Sequence, residues 1–180
     1  MEKNKTYKII IGALLAAMSA AIRLFFDYLV PSGGTFGVPL YSIPLIISSL
    51  YLGPWYSLLV GFVADLGIGF LGPYGYKPLF VISSLSWAFF PGIIAKKNYN
   101  FGKMAISIFI AYIVASLGNT FAMFIHYGRE MAVASLFIRI ALAITLSPVI
   151  FSISHVIYDR ILQFQSDRII ETKNKYTKEI

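Results

Sequence analysis

Four long windows almost empty of charge dominate this 180-residue chain. No Asp, Glu, Lys or Arg occurs from Tyr28 to Ala64, from Pro78 to Ala95, or from Met104 to Gly128. Between Met131 and Tyr158 only Arg139 interrupts. A span of roughly 20 apolar residues crosses a bilayer, so the windows predict membrane helices and leave no room for a soluble catalytic domain. Composition agrees. Charged residues make up 13% of the chain, against about 25% in soluble domains, and mean hydropathy is +0.74.

Breaks in the apolar pattern predict an all-α integral membrane protein, a six-helix bundle in one membrane domain. The helices are expected at about 8–30, 40–52, 55–71, 79–95, 103–125 and 130–162, with a cytoplasmic tail over 163–180. The first ends at "VPSGG", and Gly53-Pro54 separates the second from the third. The third runs out in "GPYGYKP".

Basic residues orient the bundle. With the N-terminus cytoplasmic, the inner segments hold Lys3, Lys5, Lys8, Lys96, Lys97, Lys103, Arg160, Arg168, Lys173, Lys175 and Lys178, eleven of the fifteen. Arg23, Lys77, Arg129 and Arg139 fall in the outer half. Both termini are therefore expected in the cytoplasm. The net charge of +7 lies at the chain ends and in one loop, which points to a membrane surface and not to nucleic acid. The basic start, the apolar run Ile9–Ile22 and "MSAA" also mimic a secretory signal peptide, but the apolar continuation through "LFF" favours a full span. The mass of the mature N-terminus separates the two.

Several chemistries drop out. With no Cys there are no disulfides or thiolate sites. "GIGFLG" (67–72) matches G-x-G-x-x-G but ends a membrane span instead of following a strand, and no G-x-x-x-x-G-K-[ST] is present. His126 and His155 fall near opposite faces of the membrane, so no metal site and no cofactor are expected. No activated nucleophile suits an intramembrane enzyme. A stand-alone ion-coupled transporter with Asp65 as its ion site would be short and lack repeated halves.

Polar residues gather at one depth. Arg23, Asp65, Ser83, Ser84, Asn119 and Arg139 all lie about 6–14 Å below the outer helix ends, at 1.5 Å per residue. Ionisable groups at such depth pair, or face a water-filled cavity. Asp65 could pair with Arg139 or Arg23 to hold helices together, or the layer could line a pocket open to the outside. The rim of that pocket would be Tyr74, Tyr76, Lys77, His126 and Tyr127. In the first helix Ala13, Ala17 and Ala21 recur every four residues beside Ala16 and Ala20. Such a stripe packs inside a bundle or docks another membrane subunit.

Three stretches resemble the substrate-binding (S) components of energy-coupling factor (ECF) vitamin transporters, most closely the folate group. They are "IRLFFDYLVPSGGTFGVPLYSIPLII", "LGPWYSLLVGFVADLGIGFLGPYGYKP" and "NTFAMFIHYGREMAVASLFIRI". The resemblance covers about Lys8 to Ile161. Two positions depart from it: Ser57 stands where the family pattern G-P-x-x-G has its second Gly, and "PYGYKPLFVISS" replaces the usual folate loop. Relatives for pantothenate, riboflavin or pyridoxine-like compounds therefore stay open.

The resemblance implies a six-helix bundle in the bacterial plasma membrane that binds a vitamin from outside. It also implies a membrane coupling subunit and two ATPase subunits as partners. Asp65 and Asn119 are expected to bond a heterocycle, with Ser83 beside them, and Arg23 and Arg139 to meet an anionic tail. Tyr74, Tyr76 and Trp87 would add aromatic contacts, with Lys77 at the mouth. The Ala13, Ala17 and Ala21 row would dock on the coupling subunit.

Overall fold

The charge-free windows fold as helices because a chain in hydrocarbon must satisfy its own backbone. The structure, a computed structural model, describes residues 2–29 and 37–178, with side chains at 5–29 and 37–164. Six α-helices follow in order: α1 (Glu2–Leu29), α2 (Ser42–Leu52), α3 (Pro54–Leu71), α4 (Val81–Ile94), α5 (Phe101–Tyr127) and α6 (Arg129–Lys178). Short 3-10 turns, Pro39–Tyr41 and Pro78–Phe80, lead into α2 and α4. No strand occurs among the described residues. The "VPSGG" break lies outside them.

Four helical segments are long and apolar enough to cross a membrane: Lys5–Leu29, Pro54–Leu71, Phe101–Tyr127 and Arg129–Phe164. The other two, Pro39–Leu52 and Pro78–Ile94, are shorter. Of the six expected helices, four are thus long enough to cross and two, α2 and α4, are short. Length is not what encloses the short pair. Ser42, Pro44, Leu45, Ile46, Ile47, Ser48, Ser49, Leu50 and Leu52 of α2 are all buried, and a helix that is apolar all round belongs in a core. It packs against α1, α3, α4 and α6.

At 1.5 Å per residue the 50 residues of α6 extend about 75 Å, more than twice the hydrocarbon thickness of about 30 Å. α6 therefore continues as one helix past the expected end at 162. α1 likewise begins at Glu2, six residues before the expected Lys8.

Local chemistry sets the joints. Gly53 adopts φ +102°, a conformation that L side chains resist, and turns α2 into α3 with Pro54 as the first helical residue. Asn100 caps α5, its side-chain oxygen accepting from Gly102 N at 3.0 Å. Buried serines bond back into their own helices: Ser86 to Ile82 O (2.6 Å), Ser107 to Met104 O (2.7 Å) and Ser135 to Ala132 O (2.9 Å). Ser57, the departure from G-P-x-x-G, is fully buried and bonded to the Ser48 hydroxyl. The extra hydroxyl is accommodated because α2 supplies its partner.

The glycines of "GIGFLG" serve packing. A Cβ on Gly67 would touch Ala20 of α1, and one on Gly69 would collide with Tyr76. Tyr76 folds back over α3 there and stacks on Phe70 at 5.3 Å.

Candidate functional site

Helix rotation decides which of the polar residues meet. Arg23, Asp65, Tyr74, Tyr76, Lys77, Ser83, Trp87, Asn119 and Arg139 all line one cavity. It lies among α1, α3, α4, α5 and α6, is open at its mouth, and has a cavity volume of about 130 Å³.

On the floor, Asn119 of α5 donates from Nδ2 to Ser83 Oγ at 3.2 Å, and Ser83 Oγ shares a hydrogen bond with the Tyr41 hydroxyl at 2.9 Å. This leaves Asn119 Oδ1 buried with no hydrogen-bond partner among the described residues. Beside it Ser84 donates to Asp65 Oδ1 at 3.0 Å. Asp65 and Asn119 both line the cavity, and a buried acceptor without a donor, as Asn119 Oδ1 is among the described residues, costs about 1–3 kcal/mol.

The ion pairs differ from expectation. Arg23 does not form its ion pair with Asp65; it holds Asp27 one turn on, Nε to Oδ2 at 3.0 Å. Its guanidinium also lies 5.4 Å from the centre of the Tyr41 ring. Arg139 donates from Nη1 to Thr120 Oγ1 at 3.0 Å, and Thr120 in turn donates to Ser116 O at 2.8 Å. Arg139 is 8% exposed, so its charge is presented to the cavity and little to lipid. Three cations (Arg23, Lys77, Arg139) and two carboxylates (Asp27, Asp65) line the cavity.

Aromatic walls complete it. Trp87, 2% exposed, meets Tyr112 edge-on at 5.5 Å. At the mouth Lys77 bonds the Tyr127 hydroxyl with its ammonium 4.2 Å from the ring centre, tying the α3–α4 loop to the end of α5. Tyr74 lines the same mouth. His126, expected at the rim, does not line the cavity and stacks on Phe80 at 6.3 Å. His155 packs at the other end of the bundle with Tyr99, Phe101 and Phe151. No cluster of three His, Cys, Asp or Glu able to hold a metal occurs among the described residues.

Sequence reasoning missed Asp27, Tyr41, Tyr112 and Phe80, all of which line the cavity. Asp27 was visible as an i, i+4 partner of Arg23. The tyrosines gave no local signal, since their importance depends on contacts between distant segments. The alanines of α1 separate into two rows. Ala16 and Ala20 are buried in the bundle, whereas Ala13, Ala17 and Ala21 face outward.

A helical chain with several membrane-length segments and a polar, aromatic cavity opening at one end is a multi-pass membrane protein built to hold a small molecule. A family model described as "ECF-type riboflavin transporter, S component" matches residues 3–164. The chain belongs to that family, and it is a transport component, not an enzyme. Among curated proteins, none matches.

Proposed function

We propose that the chain is the vitamin-binding subunit of an ECF importer and that its vitamin is folate. The observation that carries this is the pair of buried acceptors, Asp65 and Asn119 Oδ1, in one cavity with Arg23 and Arg139. A pterin offers adjacent N–H donors along its amino-pyrimidinone edge, and a carboxylate can take two of them at once. The glutamate tail carries carboxylates, which suit guanidinium groups through bidentate bonds. Trp87, Tyr74 and Tyr76 would cover the ring faces.

The family description favours a second reading, riboflavin. Its ring presents a single N–H between carbonyl oxygens and its ribityl tail is neutral, so it makes little use of Asp65 or of the excess positive charge. Binding by the purified chain separates the two, read by calorimetry or by Trp87 fluorescence, with folate, riboflavin and a pteroate lacking the glutamate. Folate is expected at roughly nanomolar Kd, about −12 kcal/mol, with pteroate weaker. Tight riboflavin binding without folate binding would overturn the assignment.

In this reading both termini are cytoplasmic, the cavity opens outward in a bacterial plasma membrane, and all six helices cross, the short α2 and α4 within the bundle. Two ATPase subunits supply the energy through a membrane coupling subunit. The outward row of Ala13, Ala17 and Ala21 allows a partner helix to approach closely. Ala17→Leu should leave folate binding by the isolated chain unchanged while cutting uptake by the assembled complex. Uptake assays in proteoliposomes check this, and full uptake would remove the docking role.

A further inference from the structure

A second concavity lies at the opposite end of the bundle from the vitamin cavity. α1 and α6 both pack on α2 but scarcely on each other, and the space between them is an open groove. Its lining changes character along its length. Leu15, Ile47 and Val156 line the part nearer mid-membrane, whereas Tyr7, Tyr51 and Arg160, together with Ile161 and Phe164, line the end near the N-terminus. The Tyr7 and Tyr51 hydroxyls lie 3.2 Å apart. From Tyr7 to Leu15 the groove runs about 12 Å, eight residues of helix rise.

Among the described residues the lining holds one cation, Arg160, and no carboxylate, and Lys96 and Lys8 stand outside the lining. Arg160 donates to neutral Gln163 at 3.3 Å, and among the described residues no carboxylate forms an ion pair with it. Lys96 reaches the Tyr51 carbonyl at 3.3 Å, and Lys8 lies 5.1 Å over the Tyr56 ring. Burial, and then the charge of Lys8, pull the Lys96 pKa below the usual lysine range.

We propose that this groove is a binding site for an anionic phospholipid. One acyl chain lies along Leu15, Ile47 and Val156, and the phosphate headgroup sits among Arg160, Lys96 and the tyrosine hydroxyls. A phospholipid is apolar over its chain and anionic at one end, and the groove has the complementary order. The groove is also separate from the outward alanine row: Ile11 and Leu15 are two positions from Ala13 and Ala17, about 200° around α1.

The test is native mass spectrometry of the full chain, exchanged into a mild detergent with equal phosphatidylglycerol and phosphatidylcholine. Preferential retention of phosphatidylglycerol is expected. Arg160→Gln should weaken it about fivefold, the effect of one near-surface charge. Leu15→Trp, which fills the apolar part, should reduce retention of the lipid while circular dichroism shows the helices intact. Equal retention of the two lipids, or retention unchanged in both variants, would overturn the proposal. So would a groove that captures no phosphatidylglycerol and is protected only when a coupling subunit is present, since a protein would then be its occupant. Folate binding on the same samples tests the vitamin site independently.

Discussion

Asp65→Asn is expected to weaken folate binding at least about 100-fold, or about 2.8 kcal/mol. The substitution keeps Oδ1, so Ser84 can still donate to it as it does at 3.0 Å. What changes is the other oxygen, which becomes an NH2 donor facing the donor edge of the ligand. Two donors then oppose each other in a buried site, where a lost charged hydrogen bond alone is worth about 1.5–3 kcal/mol. The helices should be unaffected, with a melting temperature close to that of the parent chain. Calorimetry on the purified variant checks the affinity and circular dichroism the fold. Undiminished binding by well-folded protein would remove Asp65 from the site and with it the pterin orientation. Riboflavin affinity, by contrast, should respond little to this change if the folate reading holds.

The second large effect concerns stability. Gly92 follows Pro91 inside α4, where the helix passes α2 and the start of α3. Its N–H donates to Ser49 Oγ at 2.7 Å. A Cβ there would come within 2.7 Å of the Ser49 carbonyl oxygen and 2.9 Å of Pro54 N, both backbone atoms of neighbouring helices. Backbone cannot swing aside as a long side chain can. Gly92→Ala should therefore force α4 away from α2 at a cost of about 2–3 kcal/mol, lowering the melting temperature by roughly 5–10 °C. Gly102→Ala is the matched control, since its nearest neighbour would be Asn100 Oδ1 at 3.9 Å. It should leave the melting temperature unchanged or slightly higher, because alanine favours helix. Equal melting of the two variants would show that the α2–α4 contact is looser than the structure has it.

These two residues illustrate how unevenly the protein can be read from its sequence. Asp65 stood out at once, because a lone carboxylate in an apolar run is costly and demands a reason. Gly92 lies inside the expected 79–95 helix and carries no local signal of its role. Its role arises only where α4 meets α2, more than forty positions away along the chain. The partner of Arg23 shows a middle case. Asp27 stands at helical spacing from Arg23, whereas Asp65 and Arg139 share only its depth. Depth places residues in a layer; helix rotation chooses their neighbours within it.

The sequence by itself determined that the chain is a bundle of apolar helices, where most of them break, and that one polar layer lies near one end. These follow from local composition, because the transfer of each segment out of water depends on its own residues and its own Gly and Pro. Tertiary structure decided that nine polar and aromatic residues share a cavity, that Asn119 Oδ1 is left without a donor, and that Ala16 faces inward while Ala17 faces out. It also made α2 the enclosed centre despite its length. Those outcomes depend on how each helix is turned against the others, and that is settled by packing between segments far apart in the chain.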